Sequence, residues 1–227
     1  MIKRFLAVAL LAASFIAWSA APTVASDATP SPAPSGTGAI PSPQQSDHAL
    51  AALLAKMTGV NPDLETYEAA IKVDVKMKTF PFLSPTLTGR VYWERPDRAA
   101  VVFDTLPALA NQFKKVYPRI EAPSQWQSIY YVSLAGPDRV RLVPRKHGRI
   151  DHIDVTVNPD GTIGSMHWFY NDGGDVVMNQ TFGNVQGRTL VTEQRGTVDL
   201  PSYKGDIQAA FTDYKVNVKL PASVFAS

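Results

Sequence analysis

The chain has 227 residues and no cysteine. That absence excludes thiol catalysis, thiolate metal sites, disulfide staples and thiol redox chemistry. It also excludes a lipid-modified leader, because that attachment needs a thiol. Charge of either sign is not in excess. The formal net charge is +2, and it falls to about zero once Lys3 and Arg4 leave with the leader described below, which argues against a nucleic-acid partner. Histidine is scarce: His48, His147, His152 and His167 are the four, and none stands in an HxH or HxxxH spacing. His152 and Asp154 form an H-x-D, but Ile153, Val155 and Val157 alternate with them. The pair therefore reads as the polar face of a strand, and no metal site is expected.

Catalytic motifs are missing as well. There is no GxSxG, SxxK, P-loop or HExxH. Gly183-Asn-Val-Gln-Gly187 holds two glycines but leads into no helix, so it reads as a turn rather than a phosphate cradle. Asp172 and Asp175 are explained as turn residues, Glu121 follows a helix, and no carboxylate pair stands out. The expectation is a protein that is not an enzyme, with no catalytic residue and no cofactor.

A long apolar run occurs once, at the start. Lys3 and Arg4 precede Phe5–Ala20, and small residues follow, with Ala25 and Ser26 suited to a cleavage site. The run of about 16 residues is short for a membrane span, which needs roughly 20, so residues 1–26 read as a secretory signal peptide. Residues 27–46 are rich in Pro, Ser, Ala and Gly and hold almost no large apolar side chain. Such a segment buries too little surface to offset its ordering entropy, and it reads as a disordered leader. Residues 47–227 remain as one domain, long enough to bury a core unaided.

Within that domain, Ser46 or Asp47 caps a helix over about His48–Thr58, with Leu50, Leu53, Leu54 and Met57 at helical spacing and Gly59 as its stop. Tyr67–Lys78 alternates: Tyr67, Ala69, Ile71, Val73, Val75 and Met77 face one way, and Glu68, Lys72, Asp74, Lys76 and Lys78 the other. One dry face and one wet face describe an antiparallel sheet covered on a single side. Phe80-Pro-Phe-Leu-Ser-Pro85 is an apolar loop that either folds over the sheet or touches a partner. Leu87–Asp104 is a hairpin broken at Pro96-Asp97. Its first strand puts Leu87, Gly89, Val91 and Trp93 on the dry face with Arg95 at the end of the row, and its second carries Ala99, Val101 and Phe103 on one side.

Leu106–Val116 reads as a second amphipathic helix, through Leu106, Leu109, Phe113 and Val116, with Pro118 and Pro123 as breakers behind it. From Ser128 onward the chain is strand and turn. Asn158-Pro-Asp-Gly161 and Asn171-Asp-Gly-Gly174 are strong hairpin signals. In the last strand Ile207, Ala209 and Phe211 give way to Tyr214, Val216, Val218 and Leu220. That change of phase predicts a bulge near Asp213. The sum is a mainly β domain of roughly nine or ten strands, an antiparallel sheet wide enough to curl, with two helices to cover its concave face. Tyr67, Trp93, Phe103, Tyr130, Trp168, Tyr170 and Phe182 fall on inward faces, where they serve either as plain core or as the lining of a cavity.

The leader, the early helix, the long alternating strand, the meander and the G-x-x-x-W-x-x-R-P of Gly89, Trp93, Arg95 and Pro96 resemble the periplasmic lipoprotein-carrier superfamily, that of LolA and LolB. The resemblance implies an incomplete, half-open barrel closed by helices over an apolar cavity that takes acyl chains. It implies ligand contact from Val73, Val75, Val91, Trp93, Arg95, Phe103 and Trp168. The lid would come from Leu50, Leu53, Leu54, Phe80, Phe82, Leu109 and Phe113. In the carriers an arginine at the position of Arg95 helps hold the lid closed through hydrogen bonds; a buried guanidinium needs acceptors, which a helix end or a loop carbonyl would supply. The expected partners are lipoprotein acyl chains or another apolar ligand, with membrane-associated donor and acceptor proteins, for a monomer in the periplasm or cell envelope. The alternative is a sensor or interaction module with a filled core and no ligand.

Overall fold

The computed structural model describes residues 43–79, 84–104 and 121–225. The signal peptide, most of the expected leader, the lid residues Phe80 and Phe82, and the helix expected over Leu106–Val116 with Leu109 and Phe113 lie outside the described residues.

Helix α1 spans Pro43–Thr58. It begins earlier than the cap expected at Ser46 or Asp47. Proline suits a first helical position because its missing N–H would find no partner there. Strands β1 (Thr66–Met77), β2 (Thr86–Glu94) and β3 (Arg98–Phe103) follow. Helix α2 (Pro123–Ile129) then leads into β4 (Tyr130–Gly136), β5 (Arg139–Pro144), β6 (Ile150–Val157), β7 (Ile163–Tyr170), β8 (Gly174–Val185), β9 (Arg188–Leu200) and β10 (Tyr203–Val216). A short 3-10 turn, Ala222–Phe225, comes last.

Other elements differ from the sequence expectation as well: β10 ends at Val216, short of Val218 and Leu220. Ser128 and Ile129 end α2 instead of opening a strand, because Pro123 starts a helix rather than merely breaking one. Gly183 lies inside β8, and the turn is only Gln186-Gly187. Those two residues have φ of 51° and 79°, the left-handed pair that a two-residue hairpin turn demands.

All ten strands form one antiparallel sheet, in the order β3-β2-β1-β10-β9-β8-β7-β6-β5-β4. It is mainly β, curled and not closed into a barrel, with β3 and β4 as its two edges. The first and last strands in sequence meet in its interior. The bulge expected near Asp213 is present: Glu68 pairs with Lys215 and Ala70 with Thr212, so β10 spends one extra residue there. Asp213 takes φ 52°. The shift turns Phe211 and Tyr214 to the same buried face although they are three residues apart.

One face of the sheet is dry across its width. Tyr67, Ala69, Ile71, Val73, Val75 and Met77 of β1 are buried, as are Leu87, Val91 and Trp93 of β2. Val140, Leu142, Ile153, Val155, Met166, Trp168, Val176, Met178, Val198, Ile207 and Ala209 continue the layer on the other strands. The opposite face carries cross-strand ion pairs such as Glu68 with Arg90 at 3.2 Å and with Lys215 at 2.6 Å. β2 and β3 approach so closely that a Cβ on Gly89 would lie 2.3 Å from the Val102 carbonyl oxygen; only glycine fits there.

Helix α1 lays Leu50 and Met57 into the core, with Leu53 and Leu54 partly buried beside them. Helix α2 contributes Trp126, which is fully buried, and its indole N–H donates to the Glu121 carbonyl at 2.6 Å. The Glu121 carboxylate accepts from the Tyr130 hydroxyl at 2.9 Å.

Candidate functional site

Many polar contacts converge on the turn that joins α1 to β1. Gly59 closes α1 by donating to the carbonyls of Ala55 and Lys56, both at 3.1 Å. Asn61 then takes φ 51°, a conformation its short polar side chain tolerates better than most. That side chain grips β9 at two points: Asn61 Nδ2 donates to the Thr189 carbonyl at 2.7 Å, and the Thr189 N–H donates to Asn61 Oδ1 at 2.9 Å. Arg188 pairs with Asp63 at 2.6 Å. Asn217, past the end of β10, donates to the Asp63 carbonyl at 3.0 Å and accepts from the Glu65 N–H at 2.8 Å.

Arg95 completes this junction from the far end of β2. Its Nε donates to the Leu64 carbonyl at 3.0 Å, and its Nη2 donates to the carbonyls of Leu64 at 2.6 Å and Pro62 at 2.9 Å. Its side chain is 12% exposed and lies 3.2 Å from the Glu65 carboxylate. The guanidinium therefore sits at the rim of the apolar layer and holds the turn after α1. On the other flank, the β6–β7 hairpin presses Gly161 against the helix end. A Cβ there would stand 2.7 Å from the Lys56 carbonyl oxygen, and φ is +90°. The turn after α1 is thus fixed by polar groups at the ends of β2 and β10 and on β9, and the helix end is pressed by one hairpin. The helix itself meets the core through Leu50, Leu53, Leu54 and Met57.

A small cavity of about 30 Å³ lies beside this junction. Met57, Val60, Ile163 and Phe182 line it with Tyr67, Tyr214 and Gln180. Burial holds the Tyr67 hydroxyl well above the usual phenol range, with the Tyr214 phenol adding to the effect. Tyr214 is raised by burial too, and its hydroxyl donates to the Val191 carbonyl. Both stay neutral donors at any physiological pH. A space of this size takes about one water, whereas sites for drug-sized ligands run to roughly 300–1,000 Å³.

Of the residues assigned to ligand contact, Val73, Val91, Trp93 and Trp168 are fully buried and Val75 is 5% exposed. Phe103 is partly buried on edge strand β3. All of these share the dry face of the sheet, and Arg95 stands at its rim. None of them lines the small cavity. The residues that do line it come from α1, the turn after it, β1, the β6–β7 hairpin, β8, β9 and β10; sequence reasoning singled out Met57, Tyr67, Phe182 and Tyr214 among them, as core or inward aromatics, and Gly161 as a turn residue. The H-x-D pair is divided: Asp154 receives two hydrogen bonds of 2.7 Å from Arg141, while His152 pairs with Asp151 at 2.7 Å and stacks on Phe169.

No family model matches the chain, and no curated protein matches it. Solved structures do. A LolA superfamily protein from Nitrosomonas europaea aligns with a TM-score of 0.54 and 13% identity, over 78% of this chain and 96% of that one. The fold is LolA-like. A putative outer membrane lipoprotein-sorting protein domain from Vibrio parahaemolyticus gives 0.57 and 9%, over 80% and 96%. A DUF1329 family protein from Desulfovibrio piger gives 0.55 and 14%, over 78% and 96%. Nearly the whole of each of these chains is matched, and about four-fifths of this one. Among the described residues, no helix is long and apolar enough to cross a membrane.

Proposed function

We propose that this domain is an exported, non-enzymatic carrier that takes an acyl chain or another apolar ligand between the sheet and its helices, to move lipoproteins or lipids across the periplasm. The observation that carries the reading is the ten-strand sheet with one continuous dry face, roofed among the described residues by two short helices. The LolA-like fold and the lipoprotein-sorting domain among its structural relatives support it. In this reading Val73, Val75, Val91, Trp93, Phe103 and Trp168 form the floor, and Leu50, Leu53 and Leu54 the underside of the cover. Phe80, Phe82, Leu109 and Phe113 remain expected parts of the lid.

The attachment of α1 suggests how the floor is reached. A 30 Å³ space admits no acyl chain, so the ligand displaces the cover. Helix α1, held on the core by apolar contacts, lifts about the turn at residues 59–65, which stays pinned. Arg95 then acts at the pivot. Native mass spectrometry of the protein purified from its own envelope is expected to show a bound lipid. An apolar fluorescent probe should enter the emptied protein. Failure of both would sink the proposal.

A second reading is favoured by the small size of that same cavity: a filled-core module that binds partners through its surface. It gains if neither lipid nor probe is taken up while the domain stays folded.

A further inference from the structure

Three described tryptophans are fully buried, and the structure treats them differently. Trp126 belongs to the cover, and its indole N–H is satisfied by the Glu121 carbonyl at 2.6 Å. Trp93 and Trp168 belong to the floor of the sheet, each is 0% exposed, and among the described residues neither indole N–H has a hydrogen-bond partner. Buried indole N–H groups normally find an acceptor, and an unmet one calls for an explanation such as a water or a ligand. Packing does not supply the reason. Trp93 is stacked on Tyr67 at 5.6 Å and 17°, a contact that a phenyl ring would keep.

The missing partner has a defined chemistry. An indole N–H only donates, so whatever completes it brings an acceptor oxygen. The buried layer that holds it is Val, Leu, Ile, Met and Ala with aromatic rings such as Tyr67, where an unpaired anion would be strongly disfavoured. The nearest cation to Trp93 along β2, Arg95, is already committed to the Leu64 and Pro62 carbonyls. A neutral acceptor fits instead, and the one that an apolar chain brings with it is a carbonyl. β1, β10, β9 and β8 separate β2 from β7, so each indole marks its own acceptor position and not a shared one.

We infer that Trp93 and Trp168 are specificity groups for an acyl ester, each donating its indole N–H to an ester carbonyl of a ligand whose chain lies on the sheet. This rests on the carrier reading above and narrows it from apolar ligands in general to ester-bearing ones.

The test compares two probes on the full chain, a pyrene-labelled fatty acyl methyl ester and the pyrene-labelled alkane of equal length. The wild-type protein should hold the ester roughly three- to tenfold more tightly for each hydrogen bond made. Trp93→Phe and Trp168→Phe should each lose that share of the preference, read as the ratio of ester to alkane affinity within the same variant. Indole N–H resonances give an independent readout in the unaltered protein. Those of Trp93 and Trp168 should move downfield with the ester and not with the alkane, while that of Trp126 stays in place as an internal reference. Equal affinity for the two probes, or indole signals that respond alike to both, overturns the inference and leaves the carrier reading standing. If the wild-type protein binds neither probe, both are lost.

Discussion

Arg95 donates twice to the carbonyl oxygen of Leu64, through Nε at 3.0 Å and Nη2 at 2.6 Å. The two residues are 31 positions apart, and the contact ties the end of β2 to the turn that carries α1. Hydrogen bonds to a charged group are worth about 1.5–3 kcal/mol, and the fork geometry is specific to arginine. Arg95→Leu is therefore expected to cost about 2–3 kcal/mol in urea unfolding, and Arg95→Lys to recover only part of that. Amide exchange should rise first in residues 59–65, and a bound apolar probe should leave faster. Unchanged exchange together with unchanged probe retention would make Arg95 an ordinary strand-end arginine.

Gly161 tests the other flank of the same helix end. A methyl group there meets the Lys56 carbonyl oxygen at 2.7 Å, in a backbone conformation with φ +90° that side chains disfavour. Gly161→Ala should cost about 1–3 kcal/mol, read as a lowered melting temperature. The loss should be local as well: exchange protection in α1 should fall more than in β4 and β5. Uniform loss across the sheet would mean that the hairpin does not brace the helix.

The acid limb of stability has a candidate origin on the outer face. Two hydrogen bonds from Arg141 hold the Asp154 carboxyl below the usual carboxylate range, outweighing its partial burial. A carboxyl depressed in the folded state adds stability that is present above its unfolded value, near pH 4, and lost as pH falls through the folded one. Arg141 is 44% exposed, so screening reduces the gain to roughly 0.5–1 kcal/mol. Asp154→Asn should be less stable than wild type by about that amount at pH 7, and the difference should close as pH drops below about 4. Chemical unfolding at pH 7, 4 and 3 decides it; a gap independent of pH would assign the stability to something other than this pair.

Much of the fold was readable because one face of the sheet is covered. Coverage forces the alternation of Tyr67 to Met77, and the same rule turned the phase change between Phe211 and Tyr214 into a bulge at Asp213. The acceptors of Arg95 were legible as a need, since a buried guanidinium requires carbonyls, but not as Pro62 and Leu64. Local ambiguity explains the differences. Pro123 opens a helix with the same residue type that ends one, and Gly183 sits within a strand while its neighbour Gly187 turns the chain. The small cavity could not be seen at all. It exists because β1 lies beside β10, which brings Tyr67 to Tyr214 (ring centroids 5.6 Å apart), and no local pattern encodes that neighbourhood.

The adjacency of β1 and β10 also governs when the domain can form. Glu68 and Lys215 meet across that seam from positions 147 residues apart. Contacts so distant in sequence are slow to close, because the chain loses its loop entropy before it gains the pairing. For a chain threaded through a membrane from its N-terminus, β1 emerges early and waits with an unpaired edge until β10 has followed. Unpaired edges invite association with other chains. Arrival of β10 is thus the event that completes the sheet, and the long wait of β1 marks the interval in which a holding chaperone would matter.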